Sequence, residues 1–487
     1  MPKLAFVLAC SLTAISVASG QTPSPQVRVF VKVDAPMIAL THVRVIDGTG
    51  AAAREDQTII LNKGKIESIA DASAANVPKD AQVLDLKGYS VIPGLVGMHE
   101  HMFYPAGDAI FHEMPISFPR LYLAGGVTTV RTAGSIEPYM DLALKREIDD
   151  GETAGPHMHV TGPYLEGPGS WAPQMTYLRS PEEAVATVNF WADRGVDNFK
   201  AYNFLSRAVL KAAIGAAHKR GLKVTGHLCS IGFREAAELG IDDLEHGITV
   251  DTEFFPGKKP DQCPSGSLAS MAEVVASLGK MQVSDPAIQQ MIQDLVAHHV
   301  AVTSTLPVFE LFVPNKAPLQ PRVLSAMSDE ARLDYLETRV QFDLPSRDPK
   351  SGEVRPQPWS RMFGQEKEFE RAFVKAGGLL LAGEDPTGIG GDLAGFGDQR
   401  EVELLVEAGF TPLEAIHIAT YNGAQYLGEL DHIGTIAAGK QADLAIIKGD
   451  PSKKIEDIES TEIVFKDGVG YDSAKLIESV RGLVGIR

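Results

Sequence analysis

Val91-Ile-Pro-Gly-Leu-Val-Gly-Met-His-Glu-His101 is an apolar run that closes on two histidines separated by one residue. A stretch so free of polar interruption fits a buried strand better than a half-exposed one. Downstream of it, as far as about Gly428, apolar strand-like runs alternate with helical stretches. That alternation is the pattern of β/α units wound around a parallel sheet. Eight strand-like runs occur, ending near His99, Arg131, Thr161, Ala201, Thr225, Leu244, Thr305 and Gly383. The expected fold class is therefore α/β, a (β/α)8 TIM barrel over residues 93–430.

Outward from this core the texture changes. Residues 27–92 hold short alternating segments, such as Thr41-His-Val-Arg-Val-Ile46 and Gln57-Thr-Ile-Ile-Leu-Asn62, split by Asp47-Gly48 and Lys63-Gly64. Alternation punctuated by such pairs is strand and turn chemistry. Residues 431–475 return to strands through Ala442-Asp-Leu-Ala-Ile-Ile447 and Glu462-Ile-Val-Phe465. A β segment at each end of the barrel implies one small satellite domain assembled from both chain ends. Within the barrel, residues 247–270 and 306–365 are long insertions after the sixth and seventh strands. Loops after barrel strands lie on the face where barrel chemistry occurs, so both are candidate lids; a subunit contact or plain surface decoration is the alternative.

Composition sets the outer bounds. Hydrophobic residues are 44% and charged residues 22% of 487, an ordinary globular balance. A formal charge of -18 argues against a nucleic-acid surface, which needs clustered cations. Met1-Pro-Lys3, the apolar run Leu4 to Val17 and the small residues Ala18-Ser19-Gly20 read as a signal peptide spanning residues 1–20, which implies a secreted or periplasmic protein. A lipoprotein signal at Cys10 is disfavoured because too little apolar chain precedes it. Past residue 25 no apolar run is long enough for a bilayer. Cys229 and Cys263 are read as ordinary buried thiols, with pairing in an oxidising compartment as the alternative.

The chemistry gathers at strand ends. Side chains alternate faces along a strand, so His99 and His101 point one way and Glu100 the other. Two imidazoles on one rigid strand are preorganised for zinc or a similar ion. The pair alone is weak, because buried histidines often simply satisfy hydrogen bonds. Later strands strengthen it: Val224-Thr-Gly-His227 ends the fifth, Asp243-Leu-Glu-His246 the sixth, and Glu384-Asp385 closes the eighth. Lys200 ends the fourth, inside the expected barrel mouth, where an unpaired ammonium is costly and a lowered pKa frees the amine for chemistry.

These motifs resemble the metal-dependent amidohydrolase superfamily over nearly all of the chain past the signal. Ile92-Pro-Gly-Leu-Val-Gly-Met-His-Glu-His101 resembles its first-strand motif, and Ala124-Gly-Gly-Val-Thr-Thr-Val130 its second-strand approach. Ile433-Gly-Thr-Ile-Ala-Ala-Gly-Lys-Gln-Ala-Asp-Leu-Ala-Ile-Ile447, followed by Gly449-Asp-Pro451, is similar to the returning strand of its split β-sandwich. Within the superfamily the likeness is to imidazolonepropionase-like and dipeptidase/ochratoxinase-type members. The resemblance implies two divalent metal ions, usually zinc, bridged by a Lys200 carboxylated on its amine. His99, His101 and Asp385 would serve one metal, and His227 with His246 the other. A hydroxide shared by the two would attack, with Asp385 as general acid and base. Tyr202 is a candidate hydrogen-bond donor to the carbonyl oxygen.

Two positions depart from that family's pattern. Gly97 stands where Asp is commoner before the histidines, and Glu384 where Thr is commoner before Asp385; neither removes a ligand. Arg131 is a candidate for pairing a substrate carboxylate and His159 for bordering the pocket. His157 lies on the same third-strand run as His159, one of the two facing the barrel; His298, His299 and His417 receive structural readings, and Gly162-Pro-Tyr164-Leu-Glu166-Gly supplies either pocket residues or turn chemistry. The leading expectation is hydrolysis of a C–N bond in a small amide such as a dipeptide or N-acyl amino acid. Cyclic amide opening is the nearest alternative, and a silent metal- or ligand-binding protein the alternative of another class. The expected partners are a small amide or peptide substrate and further copies of the chain, with neither nucleic acid nor a membrane span.

Overall fold

A computed structural model describes residues 23–106, 110–170, 173–264, 268–314, 316–344 and 358–485. The expected signal peptide lies outside the described residues.

Parallel strands form two arcs. In the first, Leu95–Glu100 and His157–His159 flank Val127–Thr132. In the second the order is Thr176–Tyr177, Thr161–Glu166, Asn198–Ala201, Lys223–Gly226, Asp243–Glu245, Ala301–Ser304 and Leu380–Ala382. Every neighbouring pair in both arcs is parallel. The arcs touch at both margins. Asp385 N donates to His99 O at 3.0 Å on one side, and Ser135 N donates to Gly162 O at 3.1 Å on the other. Helices follow the strands and bury apolar faces against them. Arg207–His218, for example, is capped by the Ser206 hydroxyl, which accepts from Val209 N, and buries Val209, Leu210, Ala213 and Ile214.

All eight anticipated runs are strands, but two differ in extent. The run from Val91 to His101 is divided. Tyr89–Pro93 belongs to the satellite sheet and Leu95–Glu100 to the first arc, because the chain turns at Pro93-Gly94. A Cβ at Gly94 would collide with the Thr128 side chain, so only glycine lets the turn seat there. The third run is also divided, with His157–His159 in the first arc and Thr161–Glu166 in the second, and so extends past its expected end. Gly162-Pro163 reads locally as a turn, yet Gly162 serves packing: a Cβ there would lie 3.0 Å from the Phe199 ring. Burial against Asn198–Ala201 overrides the local turn preference.

Both chain ends build one nine-stranded mixed sheet, consistent with a split β-sandwich. Leu444–Lys448 pairs antiparallel with Tyr89–Pro93 on one edge and with Thr461–Lys466 on the other. Its core includes Ile38, Leu40, Ile59, Val91, Ile446 and Phe465, all buried.

Among the described residues the two insertions differ, the sixth being mostly turns after Gly247–Thr249 and the seventh largely helical. The sixth-strand insertion leads into the helix Leu268–Leu278, and the seventh contains Leu306–Glu310, Pro321–Ala326 and Asp329–Asp343 before Pro358–Lys375. Cys229 and Cys263 form a disulfide, contrary to the buried-thiol expectation. The insertion carries Cys263 back over the end of the fifth strand, which leaves the two Cα atoms 4.9 Å apart. Among the described residues no helix is long and apolar enough to cross a membrane.

Candidate metal centre

His99, His101, Lys200, His227, His246 and Asp385 arrive from five strand ends and converge on one cavity at the mouth of the arcs. Strand alternation aims His99 and His101 inward. His246 and Asp385 are aimed by their backbones, which hold left-handed φ values of 68° and 58°. Such conformations cost on the order of 1–3 kcal/mol in non-glycine residues and concentrate at functional sites. Gly383 permits the approach of the eighth strand to the first, since a Cβ there would lie 2.5 Å from His99 N.

The imidazoles converge on Asp385. Its carboxylate lies 3.6 Å from His99 Nε2, 3.3 Å from His101 Nε2 and 3.9 Å from His246 Nε2. The other ring nitrogens are engaged behind the cavity. His99 Nδ1 is 2.6 Å from Glu245 Oε2, His246 Nδ1 is 2.7 Å from Thr305 Oγ1, and His101 Nδ1 is 3.3 Å from Gly134 O. With each Nδ1 carrying the proton, every Nε2 offers its lone pair to the cavity. The rings of His99 and His246, and of His246 and His227, have centroids 4.5 Å apart.

The electrostatics suit metal ligands. Burial, then the neighbouring Lys200, hold His99 well below the ordinary histidine range and put His227 at about 3. Both rings are therefore neutral donors near pH 7. Burial alone would raise the pKa of Asp385, but His99, His101 and the Thr387 hydroxyl more than offset it and keep the carboxylate ionised. Lys200 is buried, its Nζ has no hydrogen-bond partner, and its nearest anion is Glu245 Oε1 at 3.5 Å. Desolvation lowers its pKa against the pull of Glu245 and Asp385. Neutral imidazoles, an anionic carboxylate and an orphaned buried amine fit a divalent-metal site.

Glu245, which the sequence reading overlooked, supports this cluster. One oxygen faces His99, and the other meets Arg131 at 3.0 Å, the Thr225 hydroxyl and Lys200. Its signal was present in Asp243-Leu-Glu245, where period two puts both carboxylates on one face.

Arg131 accordingly has a different place from the one expected. Its guanidinium is fully buried and its donors are consumed by Met98 O at 2.8 Å, Asp243 Oδ2 at 2.8 Å and Glu245. It does not line the cavity, so it holds Asp243 and Glu245 and is out of reach of a substrate carboxylate there. His159 is also outside the cavity lining, paired with Glu429 Oε1 at 3.2 Å. Tyr202 does line the cavity, its ring centroid 4.9 Å from that of His227. Tyr164 joins it, with its hydroxyl 3.4 Å from His101 Nε2.

The two departures meet behind the first strand. Glu100 turns away from the cavity and packs against Glu384 and Asp398, all buried. Gly97 makes room for it, since a Cβ there would lie 2.5 Å from Glu100 Oε1. His157 forms a further acidic group with Asp443 and Asp467. Neither group borders the cavity at Asp385.

Residues 382–469 match the model of the Amidohydrolase family. A dihydroorotase of Syntrophus aciditrophicus is 36% identical over 83 residues, 17% of this chain and 19% of the relative. The chain spans about a fifth of the length of the first curated relatives it matches. A longer match, to a dihydroorotase of Pelotomaculum thermopropionicum, is 25% identical and covers 82% of this chain and 87% of the relative. Among solved structures, bottromycin amidohydrolase superposes with TM-score 0.68 at 19% identity, covering 94% of each chain. A Xaa-Pro dipeptidase with bound methionine gives 0.64 at 19% identity, covering 90% of this chain and 100% of that one. Ochratoxinase of A. niger gives 0.61 at 16%, covering 90% and 96%. At these identities the structural likeness is one of fold.

Proposed function

We propose that this chain, whose residues 382–469 match the model of the Amidohydrolase family, is a metal-dependent hydrolase of C–N bonds in small amides, built on a (β/α)8 barrel. The contacts of Asp385 with His99 and of Ser135 with Gly162 are where the two parallel arcs would close. The observation that carries the reading is the convergence of four histidines, an ionised Asp385 and an orphaned Lys200 on one cavity. Two ions, zinc in the first instance, would be held by His99, His101 and Asp385 and by His227 and His246. Lys200, whose pKa desolvation lowers, would help hold them as a side chain carboxylated by carbon dioxide. When bound, the metals would lower the pKa of a water and polarise the scissile carbonyl.

The chain's own groups supply the rest. Asp385 accepts the proton of the attacking water and delivers it to the departing nitrogen. The Tyr202 hydroxyl donates to the carbonyl oxygen as it gains charge. Glu245 fixes the His99 ring and its tautomer through the 2.6 Å contact at Nδ1. Dipeptides and N-acyl amino acids are the broad substrate class in which to begin, with cyclic amides as the neighbouring one. The disulfide agrees with export to an oxidising compartment, as the N-terminal signal suggests.

The test is to purify the protein with zinc or manganese, measure bound metal, and assay a panel of linear and cyclic amides. Metal-dependent turnover that Asp385→Asn lowers at least a thousandfold is expected. Bound metal with no turnover on any amide would favour the silent binding protein instead.

A further inference from the structure

The cavity lining divides into two chemistries. Its charged and titratable ligands, His99, His101, Lys200, His227, His246 and Asp385, all belong to the metal cluster. Among the described residues, no other Lys, Arg, Asp, Glu or His lines it. What remains is uncharged: aromatic and aliphatic side chains, with hydroxyls of Tyr164, Tyr202, Thr249, Thr252 and Thr387 and the Asn203 amide as its polar groups. On one side, Phe103 stacks on His101 with centroids 4.4 Å apart and meets Phe111 at 5.1 Å. On the other, Phe309 lies 5.6 Å from His246, and Trp359 stacks at small interplanar angles of 21° on Phe309 and 23° on Phe312. This second wall comes from the seventh-strand insertion and the helix that follows it, and Val274 and Val275 extend it from the sixth.

We infer that the cavity selects a neutral amide carrying a flat aromatic group and rejects one bearing a free carboxylate beyond the scissile bond. The inference rests on the reading as a hydrolase of C–N bonds in small amides, and within that reading it moves the substrate away from dipeptides and N-acyl amino acids, which carry a free carboxylate, to neutral amides. A carboxylate carried into an apolar chamber loses its hydration and needs a cation or several donors in return. Lys200 is committed to the cluster, and Arg131 is locked behind it by Asp243, Glu245 and Met98 O. Phe312 and Trp359 stack on each other with centroids 4.8 Å apart, and a flat ring entering the cavity gains aromatic burial against the wall they form. Walls whose described residues offer no uncommitted charge specify by shape and desolvation, so an added charge is penalised more than a change of ring size.

Binding can be separated from turnover. Titration calorimetry of the metal-replete protein would compare 2-acetonaphthone, a neutral ketone with no bond to hydrolyse, with 6-acetyl-2-naphthoic acid, its carboxylate twin. The neutral ketone should bind at least tenfold tighter, and Phe312→Ala should weaken it at least fivefold. Equal or tighter binding of the acid, no measurable binding of the ketone, or an unchanged affinity in Phe312→Ala overturns the inference. In parallel, 2-acetamidonaphthalene tests turnover. If the ketone preference holds while no amide is cleaved, the hydrolase reading fails and the preference for neutral aromatic ligands stands.

Discussion

Glu245 sits where three demands meet: it fixes the His99 ring, receives the buried Arg131 charge and faces Lys200. A partner behind a ligating histidine typically changes metal affinity 10–100-fold when removed. Glu245→Gln should therefore weaken zinc binding by about that range, measured by competition with a chromophoric chelator. It should do so while the secondary structure remains intact. Unchanged affinity would reduce Glu245 to a core ion pair. Lys200→Ala should lower metal occupancy too, and short carboxylic acids such as acetate should restore part of the activity by supplying the missing oxygen donor. At this scale the sequence was informative about ligands and silent about their supports. His99, His101, His227, His246 and Asp385 are legible because each chemical side chain punctuates the end of an apolar run. Arg131 and His159 stand at comparable places, but whether a cation is free depends on anions distant in sequence, such as Asp243 and Glu245 on another strand and Glu429 just past the helix Gly423–Leu427. Period and spacing carry no information about that.

Among elements, the strands of the arcs were legible from apolar runs bounded by polar or glycine positions. Their exact extents were not. Gly94 and Gly162 both look like turn signals, but one ends a strand beside Thr128 and the other lies in a strand against Phe199. The difference lies in what packs on them. The disulfide was hidden for a related reason, since its two halves are 34 residues apart and meet only because the insertion folds back. Closing a loop of that length stabilises by roughly 3–4 kcal/mol in the chain-entropy model. The double variant Cys229→Ala with Cys263→Ala should lose about that much in denaturant unfolding, or less where the unfolded chain retains structure. No change in the unfolding midpoint would mean that the link does not form in the purified protein.

For the whole molecule, acid groups buried away from the metal cluster set the pH response. Burial, with Asp141 and Glu137 nearby, raises Glu113 to about 9. Burial likewise raises Asp141 to about 7 and Glu370 to about 8. In the unfolded chain these carboxyls titrate near 4. Between those limits the folded protein holds more protons than the unfolded one, so stability is greatest at the acid end and falls as pH rises through the window. Carboxylates held low, such as Glu429 by its bond to His159, act in the opposite sense only at lower pH. The thermal midpoint should therefore be several degrees higher at pH 6 than at pH 9, and Glu113→Gln should flatten that difference. A midpoint that rises toward pH 9 would contradict the sign.

The most direct measurement of the central claim is a crystal structure of the metal-replete protein with anomalous data collected on both sides of the zinc absorption edge. Two anomalous peaks enclosed by His99, His101, His227, His246 and Asp385, with density for a carboxylated amine on Lys200 between them, are expected. A cavity without anomalous signal, or a bare Lys200 amine beside a single ion, would contradict the binuclear centre.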